Sequence, residues 1–283
     1  MAVERPPKDL HLVSQTLLRS FSVGGFLTSL DVRWPAQRPR LRPVSRLAFR
    51  DDLVPSNPDE FESLWQTMEV AYPRARAAVA DGTIFESERL LDVVRDCLAV
   101  HFARSNTVAR IVTIATEGVL NRLEQRLVEG QLLESPSGLA AAGPEGQALI
   151  AKQYTEQART ELFDPVSTIP ERMMENFTIA RERIASQPIE IVVAAEGEFL
   201  IGDTPAHTLS SDNRIDVLWD QANTVTMPLD RHYAFALGPK NRYIEFDKNM
   251  VNFINRVQVQ TAQKFVMWHP NAQMVNFVRE VLD

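Results

Sequence analysis

Four polar residues, far apart along the chain, have the types that hydrolysis of a phosphodiester would use: His11, Arg104, Asp203 and Asn255. A histidine titrates near neutrality and can move a proton. Arg104 could clamp a phosphate through its planar fork of donors. Asp203 could hold a divalent cation such as Mg2+, or orient His11. Asn255 could contact substrate. Each residue also has a structural reading. His11 precedes an apolar segment and can cap or pack on a helix there. Asp203 stands in "FLIGDTPAHTL" (199–209), where an apolar run ends at Gly202 and Pro205 stiffens the chain behind it. A carboxylate so placed commonly accepts backbone N–H groups in a turn. Arg104 suits the C-terminal end of a helix, where a cation meets unpaired carbonyls. Asn252 and Asn255, three apart on one helix, can tie that helix to a strand through the strand's backbone.

Other polar residues carry less. His101 lies three residues before Arg104, on an apolar stripe with Cys97, and is expected to be a buried, satisfied histidine. Glu69, at the border of the preceding helix, could pair Arg104. Cys97 is the only cysteine, and its apolar helical neighbours mark it as an inert core thiol. His207, His232 and His269 have no companions at metal-ligand spacing and receive no role. A Gly-rich phosphate loop, HExxH and GxSxG are all absent, which lowers the standing of P-loop enzymes, zincins and α/β-hydrolases.

Charge is unevenly spread. The net charge of −7 argues against a general nucleic-acid coat, yet residues 1–50 hold nine Lys and Arg against three acids, Glu4, Asp9 and Asp31. Arg38, Arg40, Arg42 and Arg46 are therefore candidates for binding nucleic acid or a partner protein, against the plainer expectation that they pair with the acidic remainder. One cysteine and no signal-peptide pattern suggest a reducing cytoplasm. No apolar run approaches the ~20 residues of a membrane span.

The elements that must position these residues read as α+β. A short helix is expected over 12–20, then the Gly24-Gly25 turn and a strand over 26–32. The proline-rich, basic stretch 35–50 should be extended. From Asn57 the pattern turns helical, with Pro58 at a first helical position and Phe61, Leu64, Trp65 and Met68 on one stripe. Further helices are expected over 85–105, 107–133, 145–163 and 169–186, the last capped by Ser167 or Thr168 ahead of Pro170. After Pro188 the pattern is β: a hairpin of 189–194 with 198–202, then a strand pair within "NTVTMPLDRHYAFALGP". A helix over 247–263, a short "KFVMW" strand and a terminal helix from 271 follow. The reading is a single α+β domain over 1–283. Its helical middle (about 57–186) sits between N-terminal (11–50) and C-terminal (189–268) β pieces that join in one mainly antiparallel sheet.

Four segments, in order, carry a family resemblance: "HLVSQTLLRSF", "FLIGDTPA", "MPLDRHYAFAL" and "VNFINRVQVQTAQKFVM". Together they resemble the bacterial family catalogued as domain of unknown function 4238, over about residues 11–268. That family typically opens with His-Tyr-Val-Pro and carries Phe-x-Thr-Ser-Asp-x-Pro. Here Leu-Val-Ser follows His11, and Gly202 stands where Ser is usual. The resemblance implies a fold and a residue shortlist, and no reaction. Two functions are expected on these grounds. One is a phosphodiester hydrolase, a nuclease-like effector suited to toxin or phage-defence roles. The other is a non-enzymatic module that binds a nucleic acid or a protein through the arginine-rich 33–50 segment.

Overall fold

A computed structural model describes residues 10–47, 49–50, 58–104, 106–129, 143–162 and 173–283. The chain divides into two compact units, residues 1–108 with 170–283, and residues 109–169.

In the first unit, Ser14 caps helix α1 (Gln15–Ser20), its Oγ accepting the N–H groups of Thr16 and Leu17. Left-handed Gly24 (φ 58°) and Gly25 (φ 80°) then turn the chain into strand β2 (Phe26–Asp31). Strand β1 (Leu10–His11) pairs with β4 (Phe49–Arg50) in a separate two-stranded ladder. Between them lies β3 (Arg40–Pro43), within the stretch expected to be extended.

Helix α2 (Pro58–Ala80) runs through Pro73 and packs on α3 (Glu88–Arg104), whose last eight residues are all buried. Helix α3 also packs on α6 (Met173–Ala185), where Arg181 binds both Asp92 and Asp96. In the second unit lie most of α4 (Asn106–Val128) and α5 (Gly143–Leu162). The expected caps Ser167 and Thr168, and Pro170, lie outside the described residues.

The remaining strands are β5 (Ile189–Ala194), β6 (Ile201–Gly202), β7 (His207–Leu209), β8 (Thr224–Pro228), β9 (Tyr233–Leu237), β10 (Arg242–Phe246) and β11 (Phe265–Trp268). Helices α7 (Lys248–Thr261) and α8 (Val275–Leu282) complete the fold. The class is α+β with a helical middle and mainly antiparallel sheets, as the sequence indicates. The expectation of one joined sheet needs correction. N- and C-terminal strands do join, but in a four-stranded sheet ordered β3-β2-β11-β6; the other C-terminal strands form a second, five-stranded sheet ordered β10-β5-β9-β8-β7. Only the β10–β5 contact in it is parallel.

The expected 189–202 hairpin is absent for the same reason. Strand β5 has β9 on one side and β10 on the other, so both its edges are filled. The chain leaves that sheet through Ala194, Ala195 and Phe199, whose N–H groups reach His232, Phe246 and Arg231 carbonyls, and β6 pairs with β11 instead. Pro228 is tolerated because β7 pairs only with residues 224–226, so the missing donor at 228 faces no neighbour on that side.

One face of the four-stranded sheet is dry. Leu30, Val266 and Trp268 pack with Leu200, Val259 from α7 and Val278 from α8. That burial fixes the position of α7, which carries Asn255, Gln258 and Thr261.

Candidate functional site

Asp203 and Asn255 come together on one junction, between α7 and strands β6 and β11. Asp203 is buried, and its carboxylate accepts three backbone N–H groups: Gln263 at 2.9 Å, Lys264 at 2.8 Å and Phe265 at 3.0 Å. Burial raises its pKa, opposed by those three bonds. The accepted groups lie 60 to 62 residues away, so the carboxylate closes the α7–β11 corner rather than its own turn. Asn255 accepts Leu200 N–H at 2.9 Å and donates to the Glu198 carbonyl at 2.9 Å. Gln258, one turn along α7, does the same for the next stretch, accepting Gly202 N–H at 2.9 Å and donating to the Pro205 carbonyl at 2.8 Å. The sequence reading missed Gln258. Its three-residue spacing from Asn255 on an apolar face was the available signal.

A second set that the sequence did not single out lies beside this junction. His207 Nδ1 is 2.9 Å from Asp216 Oδ1, and its Nε2 is 3.0 Å from Thr261 Oγ1. A carboxylate only accepts, so Nδ1 carries the proton. Thr261 Oγ1 is also 2.7 Å from the Val257 carbonyl, and its one proton can serve only one of the two acceptors. An acid–imidazole–hydroxyl chain is the arrangement of a nucleophilic triad. Here His207 and Asp216 have no exposed surface and Thr261 has 4%, so the chain braces the interior.

Arg104 lies elsewhere, on the α2–α3 pair. Its guanidinium is 4.3 Å above the Trp65 ring and 3.4 Å from Glu62, and burial lowers its pKa to about 10. Glu69 supports Arg104 by its charge, which acts against the effect of burial on the guanidinium, while its Oε1 accepts the Ser14 hydroxyl at 2.7 Å. His101 is buried and satisfied. Nδ1 donates to the Cys97 carbonyl at 2.6 Å and Nε2 accepts Ser14 N–H at 3.1 Å. Burial pushes its pKa down to about 4, so it is neutral. The Cys97 thiol is raised well above its ordinary value, again by burial. His11 lies in β1, paired with Phe49; its side chain is outside the described residues. Thus Asp203 and Asn255 share one junction, and Arg104 belongs to a different polar cluster. Among the described residues, no group of three or more His, Cys, Asp or Glu side chains could hold a metal ion.

The basic segment forms an edge. Strand β3 pairs only with β2, so its other side has no strand neighbour among the described residues. Arg38, Arg40 and Arg46 are exposed, and none is in an ion pair among the described residues. Trp34 (59% exposed) and Leu41 (61%) lie among them. Arg42 is half-buried, its guanidinium 5.1 Å above the Phe265 ring, with Lys264 Nζ at 5.3 Å from the same ring. Arg33 is the neutralised member, paired with Asp31.

The four segments that carried the family resemblance meet in this fold. Residues 199–206 are tied by Asn255 and Gln258 to the 251–267 segment, and Ser20 in the first donates to the Leu229 carbonyl in the third. A sequence model of the family described as protein of unknown function (DUF4238) matches residues 11–272. The chain belongs to the DUF4238 family. A search among curated proteins finds no match, and neither does one among solved structures. In this DUF4238 member, then, the aspartate of Asp-x-Pro bonds the backbone just after the Asn-bearing helix, and Asn255 bonds the backbone just before Asp-x-Pro. No helix among the described residues is long and apolar enough to cross a membrane.

Proposed function

We propose that this DUF4238 protein is a binding module that engages single-stranded nucleic acid through the β3 edge. The observation in its favour is that Arg38, Arg40 and Arg46 are exposed without a carboxylate partner among the described residues, although the chain as a whole is acidic at −7. Cations left unpaired on an acidic protein are available for an external anion, and the negative remainder confines the polyanion to that edge. Trp34, exposed between Arg33 and Arg38, adds a ring on which a base can stack, the combination single strands use. The hydrolytic reading has no comparable support, because Asp203 and Asn255 direct their polar atoms to backbone groups.

The test is fluorescence anisotropy of a labelled single-stranded oligonucleotide against the wild type and the Arg38→Ala/Arg40→Ala/Arg46→Ala variant. Wild-type binding that weakens steeply with salt, and a variant that binds more weakly with a shallower salt dependence, are expected. Equal affinity of the two proteins would remove the edge as the binding surface.

A further inference from the structure

The geometry points to a second anion site, distinct from the β3 edge: we propose that the pocket between α1 and α2 binds a small organic phosphate. This pocket, of about 410 Å³, is lined by Thr16, Arg19 and Ser20 of α1 and by Tyr72, Pro73, Arg76 and Ala77 of α2. Two arginines thus line one cavity from two different helices.

Their present partners leave most donors free. Among the described residues Arg19 makes one side-chain bond, Nη2 to Gln15 Oε1 at 2.9 Å, on the exposed side of α1. Arg76 makes no hydrogen bond among the described residues; its nearest acid is Asp230, with Oδ2 3.6 Å from Nε. Asp230 already spends its other oxygen on the N–H groups of His232 and Tyr233. The Thr16 hydroxyl also has no hydrogen-bond partner among the described residues, so it can donate into the cavity. Ser20 and Tyr72 cannot: the Tyr72 hydroxyl donates to the Leu229 carbonyl at 2.7 Å, and the one proton of Ser20 is shared between the Leu17 carbonyl at 2.6 Å and the Leu229 carbonyl at 2.5 Å. Those bonds make that wall rigid.

Two arginines and a free hydroxyl, against one partly committed carboxylate, select an oxyanion with several acceptor oxygens. A phosphomonoester fits that set better than a carboxylate, which one guanidinium would satisfy. The volume exceeds what a bare phosphate fills, leaving room for a small polar body such as a sugar.

Isothermal titration calorimetry with ribose 5-phosphate, inorganic phosphate and ribose tests this directly. Ribose 5-phosphate should bind best, inorganic phosphate more weakly, and ribose not at all. Arg19→Gln, which touches only an exposed contact, should weaken ribose 5-phosphate binding about tenfold or more, and Arg76→Gln likewise. The Arg38→Ala/Arg40→Ala/Arg46→Ala variant should bind ribose 5-phosphate as the wild type does, which separates this site from the β3 edge. Ribose binding as tightly as its phosphate, unchanged affinity in Arg19→Gln, or no saturable binding of either phosphate in the millimolar range would each overturn the proposal.

Discussion

Gln258 leaves no room for a side chain at Gly202. Its backbone carbonyl would lie 2.9 Å from a Cβ built there, while its Oε1 accepts the Gly202 N–H at 2.9 Å. Close approach of helix and strand, rather than an unusual backbone angle, is what this glycine provides. Gly202→Ala should therefore destabilise the protein by about 1–3 kcal/mol, because backbone rather than a flexible side chain must give way. Gln258→Leu should cost a similar amount, by leaving the Gly202 N–H and the Pro205 carbonyl without partners. Urea unfolding measures both. A Gly202→Ala variant with the wild-type midpoint would show that the junction relaxes freely.

Asp203 supports the same junction from the other side. Asp203→Ala would strand three backbone N–H groups at the α7–β11 corner, at a cost of about 2–5 kcal/mol. Asp203→Asn should fall between wild type and alanine, since one amide oxygen can still accept while the NH2 would face a donor. Thermal melts of the three proteins give the order, and an alanine variant as stable as wild type would contradict the bracing role.

His101 sets a pH dependence. Its pKa is pushed down to about 4 in the folded protein by burial, against an ordinary value of 6.5. Below pH 6.5 the unfolded chain binds a proton that the folded one does not, so stability falls as pH drops from 6.5 toward 4 and is fully present above 6.5. The slope from this residue is at most ~1.4 kcal/mol per pH unit. His101→Gln should lower stability at pH 7 yet show a shallower loss between pH 6.5 and 4. Denaturant midpoints across that range decide it, and parallel curves would assign the acid sensitivity elsewhere.

The β3 edge makes a quantitative salt prediction. Each phosphate neutralised on a single strand contributes about 0.7 to the slope of log affinity against log salt. Removing Arg38, Arg40 and Arg46 together should thus flatten the slope by about 2. Trp34→Ala should weaken binding by about 1–3 kcal/mol with the slope unchanged, because stacking releases no counterions. Anisotropy titrations at several salt concentrations separate the two effects. A slope that stays the same in the arginine variant would place the charge contacts elsewhere.

Stretches that form structure from their own residues were readable along the chain. Pro58 after Asn57 opens α2, the apolar stripe through Val94, Leu98 and His101 gives α3, and the 224–237 segment closes as a strand pair. Asn255, though not Asn252, likewise marked a tie from α7, to the backbone just ahead of β6. In each case the signal is local: a cap, a period or a turn within one segment. Long-range partnership was not legible. Strand β6 has only two residues, and no local feature says that its partner is β11, more than sixty residues away, rather than β5. That choice was made by packing: Gly202 admits α7, Gln258 and Asp203 take up the backbone groups on either side, and β9 and β10 have already filled both edges of β5. The polar shortlist was divided by the same cause. Residue type marks Asp203, Asn255 and Arg104 as capable of chemistry. Whether their polar atoms meet a ligand or a backbone is decided by which distant groups the fold brings within 3 Å, and for Asp203 and Asn255 these are the N–H and carbonyl groups of neighbouring strands and loops.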